Sequence, residues 1–170
     1  MRRLRIESLI LPTMALLMLA ADQVSKGWVV ARLEMGQSVD LASWLAPVFH
    51  LTYVTNTGVV FGLLPGMGDL FIIVAAVVVG VLLLYHRHIP PGQVPIRIAL
   101  GLQLGGALGN LTDRLVRGSV VDFIDLNFWP LERWPVFNLA DASIVTGVGL
   151  LVLAMLGEQR EASQAKETDG

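Results

Sequence analysis

Long apolar stretches alternate along the chain with short polar intervals. Four of them reach or approach the length that crosses a bilayer, about 20 residues at about 1.5 Å each: Glu7 to Val30, Asp69 to Tyr85, Val94 to Thr112, and Leu139 to Leu156. From Leu70 to Tyr85 there is no Pro and no ionisable side chain but the terminal Tyr, which predicts a plain lipid-facing helix. The other three carry polar residues at one end: Asp22, Gln23 and Lys26, then Gln103 and Asn110, then Asn138 and Asp141. Two intervals have a strand pattern instead. Val48 to Val54 is rich in β-branched and aromatic residues ahead of the turn formers Asn56, Thr57 and Gly58, and Val120, Asp122, Ile124, Leu126 and Phe128 recur at period two. The expected fold is a membrane all-α protein of four transmembrane helices with a small extracytoplasmic β element, anchored at headgroup level by Trp129 and Trp134. Residues 1–157 form that body, and the polar stretch 158–170, which lacks aromatics, is expected to be a disordered tail.

Composition supports lipid as the solvent. Of 170 residues 54% are hydrophobic and 15% charged, with a mean hydropathy of +0.66, too little charge to clothe a water-facing surface. Twelve Lys and Arg against fourteen Asp and Glu give a net charge of -2, so no basic field exists to hold a nucleic acid. Cysteine is absent, which removes thiolate chemistry and cysteine-ligated metals. Basic residues choose the orientation. Arg2, Arg3, Arg5, Arg87, Arg97, Arg160 and Lys166 fall on one side and Lys26, Arg32, Arg114, Arg117 and Arg133 on the other, so both termini are expected in the cytoplasm. Leu19 fits badly before a cut after Ala21, which favours an uncleaved signal-anchor helix over a removable signal peptide.

Alternating spans bring the polar ends together on the outer face. Asp22 lies about 25 Å beyond Arg5 at helical rise, a hydrocarbon thickness away. Asp22 and Lys26, spaced i, i+4, suit a structural ion pair better than direct chemistry. On the third helix Gln103, Asn110 and Arg114 fall within about 40° of one another, opposite Gly101, Gly105 and Gly109. The glycines permit close helix approach, within one chain as readily as in a dimer, so they leave the oligomeric state open and are compatible with a monomer. The polar face requires a cavity or a polar partner. Asp122 and Asp141 could share a proton as an aspartic peptidase pair does, or could be a solvated loop acid and a helix N-cap. No H-E-x-x-H occurs, and His50 is separated by the membrane from His86 and His88, so neither a metal nor a cofactor is expected. Ser25 and Lys26 point about 100° apart on a helix and make a weak nucleophile pair. A small transporter or channel with a polar site at the outer face is the alternative, but it needs a polar path through both leaflets, and the second helix supplies none.

Five ordered segments carry a resemblance: Asp22 to Lys26, Asn56 to Phe61, Gly105 to Arg114, Gly118 to Ile124, and Phe137 to Asp141. Together they resemble the signal peptidase II family, the lipoprotein signal peptidases of bacterial inner membranes, over all of the chain but its tail. Val59 departs from the Ala common in that family. The resemblance implies an aspartic endopeptidase that removes the signal peptide of a prolipoprotein before its diacylglyceryl-modified Cys, with Asp122 and Asp141 as the catalytic pair. It further implies that Asn56, Asn110, Arg114 and Asn138 hold substrate or orient the pair, and that Asp22, Lys26 and Asp113 support them. The implied partners are the lipidated precursor and membrane lipid.

Overall fold

The computed structural model describes residues 2–57, 68–131 and 134–168. Gly58 to Phe61, including Val59, and Arg133 lie outside the described residues. Four helices run α1 (Arg2–Arg32), α2 (Gly68–Tyr85), α3 (Val94–Arg117) and α4 (Leu139–Thr168). Two of them contain segments long and apolar enough to cross a membrane, Ile6–Arg32 and Leu139–Arg160. The apolar part of α2 is shorter, and α3 dilutes its apolar run with the polar residues noted above.

α3 is the central post. Its glycines let α1 in on one side, where a Cβ on Gly101 would meet Met14 Cβ at 2.7 Å and one on Gly105 would meet the Ala15 carbonyl at 2.6 Å. Gly106 does the same for α4, whose Ala140 carbonyl and Ser143 hydroxyl occupy the space of a side chain. The buried Leu11, Ala15, Leu82, Ile89, Leu100 and Leu104 close the interhelical core away from the polar end. Pro12 is accommodated within α1.

Three antiparallel strands, β1 (Ser38–Val39), β2 (Phe49–Asn56) and β3 (Val120–Leu126), form one sheet in the order β1-β2-β3. The two strand-patterned intervals are therefore strands, and they pair with each other, Val54 opposite Asp122 and Asn56 opposite Val120. Val29 of α1 packs with Leu51, Val121 and Phe123 to seat the sheet on the helices. α3 ends on Gly118 at φ 76°, whose N–H returns to the Arg114 carbonyl. That left-handed residue turns the chain directly into β3 and so fixes Asp122 beside the end of α3.

The tail departs from expectation. Helix α4 continues through Thr168 where a disordered segment from Glu158 was expected. The residues concerned are mostly Glu, Gln, Arg, Ala and Lys, strong helix formers that extend an existing helix without the cost of nucleating one.

Candidate active site

Asp141 sits in the first turn of α4. The N-cap is Asn138, not Asp141: Asn138 Oδ1 accepts the Asp141 N–H at 2.9 Å, and Asp141 Oδ2 accepts the Asn138 N–H at 3.3 Å. This reciprocal capping box locks the Asp141 carboxylate against its own helix terminus, where the helix dipole favours negative charge. The other oxygen, Oδ1, accepts Asn110 Nδ2 at 2.7 Å.

Asp122 projects from β3 and is 2% exposed. Asn138 Nδ2 donates to its Oδ1 at 2.6 Å and Asn56 Nδ2 to its Oδ2 at 3.2 Å. Asn138 thus touches both acids, one through its backbone and one through its side chain. Burial, and then the charge of Asp141, push the Asp122 carboxyl from its ordinary 3.8 to about 7, against the hydrogen bonds of Asn138 and Asn56 and the Lys26 charge. Asp141 is thus one of the two causes that keep the Asp122 carboxyl protonated toward neutral pH.

Both acids line one cavity of about 370 Å³, walled otherwise by Asn56, Leu126, Leu131, Trp134, Val136 and Phe137 and by Ala142, Val145 and Thr146 of α4. One end of the cavity is ionisable and the rest is largely apolar, a shape that suits a substrate with a polar reacting bond and greasy flanks.

Behind the acids lies a second polar layer. Lys26 is fully buried and meets Asp22 Oδ2 and Asp113 Oδ2 at 2.9 Å each, and it donates to Asn110 Oδ1 at 2.9 Å. The i, i+4 pairing of Asp22 and Lys26 is therefore formed. Asp22 Oδ1 also accepts the Ala140 N–H at 3.0 Å, tying α1 to the first turn of α4. Asp113 Oδ2 accepts the Val121 N–H at 3.1 Å and ties α3 to β3.

The residues expected to contact substrate divide in two. Asn56 lines the cavity, and Arg114, whose Nη1 donates to the Asn110 carbonyl at 3.3 Å, lies within electrostatic reach of Asp141 and Asp122. Asn110 and Asn138 are buried, with their amides turned to the two acids, to each other and to Lys26. They orient the acids. The sequence reading missed Gln23, which donates to Asp22, Asp113 and the Gly109 carbonyl, and Arg117, which pairs with Asp113 at 2.9 Å. The i, i+4 spacing of Asp113 and Arg117 was the available signal for the second.

A helical bundle with bilayer-length segments and two acids brought to one cavity, both held by Asn138, defines a class, membrane proteases of the aspartic type. The model of the signal peptidase (SPase) II family matches residues 14–157, and the chain belongs to that family. It is 45% identical over 149 residues to the lipoprotein signal peptidase of Moorella thermoacetica, covering 86% of this chain and 94% of that one. To the lipoprotein signal peptidase of Bacillus subtilis it is 43% identical over 146 residues, covering 84% and 90%. Two solved bacterial membrane enzymes obtained by the in meso method superpose with TM-scores of 0.77 and 0.73 at 30% and 31% identity. The first covers 86% of this chain and 87% of its own, the second 85% and 90%. The transporter alternative is not favoured: the polar groups collect at one end of the bundle, and the relatives are peptidases.

Proposed function

We propose that this protein is a lipoprotein signal peptidase of a bacterial inner membrane, cutting prolipoproteins before their diacylglyceryl-modified Cys with Asp122 and Asp141 as the catalytic pair. The observation that carries this reading is the convergence of the two acids on one cavity, both held by Asn138. Asp122 retains the shared proton and polarises the scissile carbonyl, while Asp141, ionised at the helix terminus, takes a proton from the attacking water. The proton on Asp141 then passes to the leaving amine, and the pair returns to its singly protonated state. Arg114 offers its forked donors to a substrate carbonyl, and Asn56 holds the peptide at the mouth of the cavity.

The apolar walls receive the flanking signal peptide and acyl chains. In this reading all four helices span the bilayer, both termini are cytoplasmic, and the acids lie at the extracytoplasmic boundary where a lipidated Cys presents its bond. The test is to replace Asp122 or Asp141 singly with Asn and incubate each with a lipidated precursor in detergent. Each variant is expected to lose about 10²- to 10⁴-fold in kcat; near-native cleavage by either folded variant overturns the pair. Chelators are expected to leave the rate unchanged, and a loss restored by zinc would identify a metallopeptidase instead.

A further inference from the structure

Lys26 is a fully buried ammonium with three partners, Asp22, Asp113 and Asn110. Its charge needs only the carboxylates, and together with Arg117 on Asp113 the four formal charges cancel. The third partner is unnecessary for neutrality, yet it stands in line with the two acids.

An ammonium has only donors. The Asn110 atom 2.9 Å from Lys26 Nζ must therefore be oxygen, and this turns the Asn110 NH₂ group onto Asp141 Oδ1 at 2.7 Å. The same oxygen accepts Asn138 Nδ2 at 3.2 Å, and that NH₂ group also reaches Asp122 Oδ1 at 2.6 Å. Reversing the Asn110 amide would set NH₂ against the ammonium and against the Asn138 NH₂ group, and would set an oxygen against the Asp141 carboxylate. Every one of those contacts is repulsive, so Lys26 imposes one polarity on Asn110, the one that matches Asn138, whose own oxygen is held by the Asp141 N–H.

We infer that Lys26 is a positioning residue for the reaction: by holding Asn110 Oδ1 it aims the Asn110 amide at Asp141 and leaves the Asn138 amide to serve Asp122. The inference rests on the assignment of Asp122 and Asp141 as the catalytic pair. Among the described residues, the charged groups around this relay are Asp22 on α1, Asp113, Arg114 and Arg117 on α3, Asp122 on β3 and Asp141 on α4.

The test uses the charge-balanced variant D22N/K26M, which leaves Asp113 with Arg117, and compares pH profiles of kcat on a lipidated precursor with wild type and with D122N. Loss of the ordered amides is expected to lower kcat roughly 10- to 100-fold with little change in KM. The acid limb of the profile is expected to move to higher pH by about one unit, because donors that favour the ionised pair are no longer aimed at it. A limb at its native position, whatever the size of kcat, overturns the inference. N110A keeps the Lys26–Asp22–Asp113 cluster intact and must displace the limb in the same direction. It therefore carries the test by itself if D22N/K26M does not fold, and an unmoved limb again overturns the inference. Combining N110A with D22N/K26M must add no further loss in kcat; additive losses would show Lys26 acting by another route. D122N separates the two readings. If D122N is inactive and the limbs are native, only the positioning role fails; if D122N is active, the catalytic pair itself is wrong.

Discussion

At the scale of single residues, the site is governed by how a buried carboxyl is compensated. Asp122 accepts two amide donors and still holds its proton up to about 7, because burial and the neighbouring Asp141 outweigh them. The rate on a lipidated precursor is therefore expected to fall as pH rises through about 7, when the shared proton leaves; a profile flat to pH 9 would contradict this. Stability follows the same sign. A carboxyl whose pKa is raised on folding contributes stability that is complete below its unfolded value of 3.8 and is lost as pH climbs through about 7. Asn does not titrate, so D122N should gain in thermal stability over wild type between pH 5 and pH 8, by about 2 kcal/mol or about 5 °C in Tm. An equal Tm difference at the two pH values would show that Asp122 is not perturbed. The i, i+4 pair of Asp22 and Lys26 was legible from spacing alone. The inward turn of Asn110 and Asn138 was not, since an asparagine at the edge of a polar cluster serves substrate or protein equally well until its neighbours are placed.

At the scale of elements, α3 decides the geometry, and its glycines are the points where it can be tested. Gly106 faces the Ala140 carbonyl and Ser143 hydroxyl, one residue from Asp141. Gly106→Ala should push the first turn of α4 away and cost roughly 10²-fold in kcat, since displacements of about an ångström carry penalties of that size. Gly80→Ala on α2, where nothing lies within 4 Å of a new Cβ, should leave the rate unaltered. Equal effects at both positions would remove α3–α4 packing from the account. Helix periodicity foretold the glycine face and the polar face of α3, and period-two alternation foretold β3. What the sequence could not convey was that Asp113, far from Lys26 along the chain, would share its ammonium, because that contact exists only once α1 lies against α3. Nor did polarity distinguish a loose tail from the end of α4, since a solvated helix and a solvated coil have similar composition.

At the scale of the whole molecule, the proposed orientation and the lipid requirement are both open to direct measurement. The chain has no cysteine, so Gln37→Cys and Arg87→Cys, both at exposed positions, report topology without background. A membrane-impermeant maleimide applied to intact spheroplasts should label the first and spare the second, and the reverse pattern would invert the orientation. A soluble, unlipidated version of the precursor should turn over far more slowly than the lipidated one, and equal rates would detach the apolar cavity walls from recognition. The capping box at Asn138 has a further consequence, for biogenesis. The residue that holds both acids is also the one that starts the last helix, so the nascent chain carries no assembled site until that helix has been threaded into the membrane.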